Sequence, residues 1–215
     1  MPLLLLLLPG LALAETLAVL PLSRAAGSES YDGLGRALAG MLVADLSTLD
    51  SLQLVERERL DALLDEIALG QTGFVEDTTV QRLGEGLGAE LVLTGSWSVV
   101  GQTFLMDARL VRVESSEVVR AVKADGPVDD FVAVEKDVVE AMLEVELSSG
   151  DRRRLLVSTP TERFDALAAY GEGLQRVDEG QLDAARVAFE KALAEDSHFD
   201  QARSELEALR GLVAG

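Results

Sequence analysis

His198 is the only imidazole in this chain of 215 residues, so a Ser-His nucleophilic pair would need it as its base. It falls beside Ser197 in a turn between helical segments, where water reaches it, and this argues against a catalytic pair. Cysteine is absent, which removes a thiol nucleophile, a disulfide and a thiolate metal site. Neither a His-Glu-x-x-His run nor an Asp-x-Asp-x-Asp-Gly loop occurs. Asp129-Asp130 read as charges at a helix N-terminus, and Asp61, Asp65 and Glu66 as a solvated helical face. The chain is expected to be no enzyme, with no catalytic residue, no cofactor and no metal.

Two glycine patterns could hold phosphate. Gly33-Leu34-Gly35 opens a helix after a strand, and Glu56 closes the next strand, as in a dinucleotide fold. The loop from Leu22 to Gly33 is too long for that turn, however, and Leu38 stands where the third glycine belongs. Gly84, Gly86 and Gly88 lie at a helix end before a strand, the wrong polarity for a phosphate loop, and read as helix termination and close packing.

The elements that would carry these residues follow from periodicity. Leu17 to Leu22 is a short apolar run expected to form a buried first strand, with pairing stopped at Pro21, which lacks an amide donor. Tyr31, Leu34, Leu38, Met41, Leu42, Leu46 and Leu49 fall at helical spacing. Leu52 to Val55 is a second strand, and Leu60, Leu63, Leu64 and Ile67 a second helical stripe ending near Gly70. Asp77 suits the start of a third helix carrying Val80, Leu83 and Leu87. Leu91 to Val100 then reads as a strand, Gly101-Gln102 as a turn, and Phe104, Met106, Ala108 and Leu110 as one face of a half-buried antiparallel strand. A second reversal at Glu114 to Glu117 leads into a third strand, and Phe131, Val134, Val138, Met142 and Val145 mark a longer helix. This order describes an α/β domain with one mixed sheet and packed helices over residues 15–147.

Four pieces of this domain resemble the CsgG family of curli production assembly and transport components. Leu87-Gly88-Ala89, Thr94-Gly95-Ser96 and Arg109-Leu110-Val111-Arg112-Val113 follow the family's order. Upstream, Val55-Glu56-Arg57 with Leu60, Leu63-Leu64 and Glu66 is similar to its strand-end Glu-Arg and amphipathic helix. The resemblance covers about Leu17 to Leu147. It implies a periplasmic scaffold that docks on other envelope proteins or self-associates. Pore-forming members carry long membrane hairpins, one of them between the Gly-Ser strand and its partner. Here only a few residues join Ser96 to Phe104, whereas a spanning strand takes about 9 to 11, so no pore is expected. A related layout is the amino-terminal domain of TolB-like proteins, and that alternative implies a small-molecule sensing or binding module.

Residues 148–160 form a connector carrying Arg152-Arg153-Arg154. Thr159-Pro160-Thr161-Glu162 reads as a capping box with proline at the first helical position. From residue 161 to 215 the pattern resembles a tetratricopeptide repeat: Tyr170 and Gly173-Leu174 on one helix, Gly180 in the turn, Ala184-Ala185, Phe189 and Ala192-Leu193 on the next. A last helix with Phe199, Ala202, Leu206, Leu209 and Leu212 reads as a cap. The fold expected is therefore α/β with a small all-α helical hairpin and capping helix. Tyr170, Leu174 and Val177 recur on one helix face and are the candidate protein-binding residues.

Residues 1–14 read as a signal peptide with cleavage before Glu15, too short for a membrane span, which needs about 20 apolar residues. With no cysteine, no lipid anchor is expected. The reading is a periplasmic protein, peripheral to the outer membrane at most. A net charge of −19, from 38 acidic against 19 basic residues, repels phosphate backbones and excludes nucleic acid as a natural partner.

Overall fold

The structure, a computed structural model, describes residues 15–49, 52–57, 59–60, 62–63, 77–143 and 159–213. The leader, Leu64 and Ile67 of the second helical stripe, Asp61, Asp65, Glu66, Val145 and Arg152-Arg153-Arg154 lie outside the described residues. The elements run β1 (Glu15–Val19), β2 (Ser23–Arg24), α1 (Leu34–Leu46), β3 (Leu52–Leu54), α2 (Asp77–Leu87), β4 (Leu91–Val100), β5 (Thr103–Arg112), β6 (Glu117–Pro127), a 3-10 turn (Val128–Asp130), α3 (Phe131–Leu143), α4 (Phe164–Asp178), α5 (Leu182–Glu195) and α6 (Asp200–Val213).

The strands form a mixed sheet in the order β3-β1-β4-β5-β6, with the short β2 pairing on β4. β1 runs parallel to both β3 and β4, while β4, β5 and β6 form the expected antiparallel meander. β1 pairs only as far as the predicted proline stop: Leu20 N donates to Leu93 O, and after Pro21 the Leu22 amide turns to Gly35 O.

Alternation along the strands sends side chains to two cores. Leu91, Leu93, Trp97 and Val99 of β4 join Phe104, Met106 and Ala108 of β5 beneath α1 and α3. Val92, Val111 and Val113 face the other way, into a smaller cluster under Val80, Leu83 and Leu87 of α2. The period-2 reading of β5 holds from Phe104 to Ala108. Leu110, half-buried, packs on the same core as expected, Val111 faces the smaller cluster, and between them the pairing with β6 skips Val119.

The larger core does not end with the sheet. It takes in Phe164, Ala166, Leu167 and Ala169 of α4, Ala192 of α5, and Phe199 and Ala202. Phe164 supplies the link: its ring centroid lies 5.2 Å from Tyr31, 5.6 Å from Phe131 and 6.1 Å from Phe104. Backbone contact is equally close, since a Cβ on Gly33 would fall 1.9 Å from the Gly171 carbonyl oxygen, and one on Gly171 2.7 Å from Gly33 O. Gly33 also has φ 70°, a conformation that costs other residues strain. Gly35 is held as tightly, under Leu22 O. The Gly33-Leu34-Gly35 pattern is thus a packing device.

Helix α4 starts at Phe164, later than the capping box predicts. The Thr159 hydroxyl, the cap of that pattern, is buried without a hydrogen-bond partner, while the Thr161 hydroxyl accepts from the Arg163 amide and donates to Asp196 Oδ2 at 2.7 Å, tying the chain to the end of α5. Gly173 leaves room for the Phe189 ring, whose nearest atom would lie 2.3 Å from a Cβ there.

Candidate functional site

The three residues singled out on α4 lie together in the structure. Leu174 is 2% exposed and packs with Ala185, Phe189, Leu206 and Leu209, while Tyr170 and Val177 are half-buried against the same cluster. The Tyr170 ring stacks 5.7 Å from Phe189 and 4.9 Å from Phe199. Leu174 therefore packs inward, while Tyr170 and Val177 keep partial exposure.

Tyr170 lines two hollows. One is an open polar groove of about 490 Å³ between Thr159, Pro160 and α6, edged by His198, Asp200 and Glu205. The other is a smaller cavity of about 110 Å³ under α1, lined by Arg36, Gly40, Val55, Arg57 and Leu174 among others. Burial pushes the Tyr170 phenol up to about 12, with the Glu205 charge adding to the rise and a hydrogen bond from Arg57 opposing it. The phenol stays protonated under any physiological condition.

A third hollow, of about 510 Å³, lies where the loop before α1 meets α4 and α5. Asp32, Asp165, Glu172 and Glu195 surround it with a single lysine, Lys191. Arg176 spans part of this edge, 3.9 Å from Asp32, 3.8 Å from Glu172 and 2.9 Å from Glu179.

Within the larger core, the sequence reading missed a charged triad. Asp45 of α1 and Glu135 and Lys136 of α3 are buried, with 1%, 0% and 8% exposure. Lys136 Nζ donates to Asp45 Oδ2 and lies 3.1 Å from Glu135 Oε2. Loss of hydration pushes Glu135 up to about 8. Asp45 reinforces the rise and the Lys136 ammonium opposes it. Burial thus favours the protonated form of Glu135 beside the contact between Lys136 and Asp45. Helical spacing contains the signal: Glu135 stands four residues after Phe131 and three before Val138, on the apolar stripe, and Asp45 four after Met41.

His198 stands in the turn between α5 and α6. Its ring is 96% exposed, and both Ser197 Oγ, at 3.5 Å, and Asp196 Oδ1, at 3.9 Å, approach the same nitrogen, Nδ1. A triad needs the carboxylate and the nucleophile on opposite ring nitrogens. Gly84 packs against Val113 and Val92, Gly86 against Leu63, and Gly88 turns the chain at φ 65°. Among the described residues no cluster of side chains could hold a metal ion, and no helix is long and apolar enough to cross a membrane.

The sheet, its parallel half and its antiparallel meander define a mixed α/β protein, consistent with a CsgG-like fold. Residues 15–102, from β1 through the turn that closes the β4–β5 hairpin, match the family described as Curli production assembly/transport component CsgG. No curated protein matches the chain. Among solved structures it is similar to the C-terminal domain of LpoB from Escherichia coli, with 19% identity, 54% of this chain and 85% of that chain covered, and a TM-score of 0.43. Lipoprotein GNA1162 from Neisseria meningitidis is 15% identical, with 62% and 99% covered and a TM-score of 0.46. TolB from Acinetobacter baumannii is 13% identical, with 61% and 28% covered and a TM-score of 0.42.

Proposed function

We propose that this is a non-enzymatic protein of the cell envelope that works in the periplasm by contact with other envelope proteins, in assembly or export. The observation that carries this reading is the CsgG match over residues 15–102. Two features support it. The β4–β5 hairpin closes through Gly101 and Gln102 alone, with Val100 paired to Thr103, so no membrane hairpin is inserted at that place. The triad of buried charges and the lone exposed histidine provide no nucleophile, base and oxyanion site in one cleft.

In this reading α4 to α6 act as a tetratricopeptide-like helical unit braced on the α/β layer. Contact would fall on the outer surfaces of the molecule, where β6 is an edge strand carrying half-exposed Val118 and Val119, and α5 exposes Val187.

A photo-crosslinking amino acid placed at Val119 and, separately, at Val187 in living cells tests this. The expected result is export of the chain and discrete adducts, from at least one position, with a defined envelope protein or a second copy. A folded chain that stays in the cytoplasm, or an exported one that yields no discrete adduct from either position, would overturn the proposal. In planar bilayers the purified protein is expected to conduct no ions.

A further inference from the structure

The triad of Asp45, Glu135 and Lys136 is the part of the larger core that packing alone does not explain. Charged groups sealed from water cost stability, and apolar side chains of similar size often serve a core as well or better. Among the described residues neither oxygen of Glu135 makes a well-directed hydrogen bond, which leaves a buried carboxyl without the partners such groups normally hold. An amine, a carboxyl that can receive it and a second carboxyl beside the amine are the groups an amide condensation needs. We propose that Lys136 and Asp45 join in an intramolecular isopeptide bond between α3 and α1, with Glu135 as the group that relays the protons.

The geometry meets the requirements of the step. Lys136 Nζ lies 2.5 Å from Asp45 Oδ2 and 3.1 Å from Glu135 Oε2. Oδ2 is one bond from Cγ, so the amine stands near the separation of about 3 to 3.5 Å at which reacting atoms are poised. Asp45 holds a further contact, and the step requires only the one with Lys136. Exclusion of water favours an uncharged pair over an ion pair, and a proton passing from Nζ to Asp45 along their hydrogen bond leaves an amine able to act as nucleophile. Nζ then bonds to Cγ. Glu135 gives its proton to the departing Asp45 oxygen and takes one from Nζ, so the Cγ–O bond breaks, one water leaves and the amide remains. Burial favours the protonated form of Glu135 that this relay starts from, and the Asp45 and Glu135 carboxyls are close enough to act on one another. No oxidant, cofactor or external substrate enters. The three groups are sealed in the core, so the reaction is a single self-modification. The bond ties residues 91 positions apart in a chain that contains no cysteine for a disulfide. This reading and the proposed envelope function do not depend on one another.

The intact mass of the purified protein, taken after prolonged standing in the folded state, tests the assignment. The chain is expected to be lighter by one molecule of water than its composition, and a tryptic digest should contain the peptides carrying Asp45 and Lys136 joined as one branched species. Glu135→Gln and Lys136→Arg, purified and kept the same way, should retain the full mass and yield no branched peptide. Wild-type protein that is folded by circular dichroism yet keeps its full mass would overturn the proposal and leave the triad a structural ion pair. A missing water traced to other residues would do the same. Branched peptide formed undiminished in Glu135→Gln would overturn the relay. If Glu135→Gln fails to fold, Glu135→Met, which relieves the core of a buried carboxyl, takes its place, and the wild-type digest decides the bond without any variant.

Discussion

The β4–β6 meander and the seam between α1 and α4 are both tightly built, yet they are specified in different ways. In the meander, neighbours in space are neighbours in sequence: a two-residue turn sets the register and alternation chooses the face. The seam joins residues far apart in the chain, Gly33 to Gly171 and Phe164 to Tyr31, Phe104 and Phe131. It places the helical C-terminal region in one buried cluster with the sheet. The lesson is that a repeat-like helical pair can be stabilised by a docking surface instead of by further repeats.

If the seam is as integral as the meander, the strongest disruption should come from its glycines. Gly33→Val brings its Cβ into the Gly171 carbonyl and strains a left-handed residue, and should cost about 3 kcal/mol or more in denaturant unfolding, with both regions losing stability together. Phe164→Ala should cost about 3 kcal/mol by cavity formation, read by the fluorescence of Trp97 on β4 as well as by helical circular dichroism. A loss confined to the helical signal would separate the two regions.

The buried triad sharpens the comparison through pH. Folded Glu135 keeps a proton up to about pH 8, while in the unfolded chain it loses it near 4.5. The folded state therefore binds the extra proton between those values, and stability should fall as pH rises from about 4.5 through 8, by a few kcal/mol in all. Glu135→Gln, which does not titrate, should flatten this part of the profile in urea midpoints measured across pH. Smallest is Tyr170→Phe, which deletes the hydrogen bond with Arg57 and should cost about 1 kcal/mol. A much larger loss would mean that the phenol holds the seam closed.

Most of the layout was legible because it is written in short periods. The stripe from Leu34 to Leu46, the alternation from Phe104 to Ala108 and the turn at Gly101-Gln102 each declare their element within a dozen or so residues. What escaped was long-range. Gly33-Leu34-Gly35 could be cleared of nucleotide binding by spacing, but nothing local reveals that Gly33 faces a glycine on another helix. Thr159 matched a capping pattern, yet its hydroxyl caps nothing and α4 begins at Phe164, while Thr161 bonds Asp196 across the chain. Tyr170, Leu174 and Val177 share one cluster, and the inward packing of Leu174 depends on α5 and α6, which periodicity in α4 cannot show. Arg57 was legible as part of the strand-end Glu-Arg motif, but its partner Tyr170 lies on a distant helix.

Native-state hydrogen exchange across the whole chain measures the seam directly. Amides in the middle of α1, β4 and α4 should open with one shared free energy equal to that of global unfolding. Free exchange of α4 to α6 while α1 and β4 stay protected would show two independent units and contradict a common core.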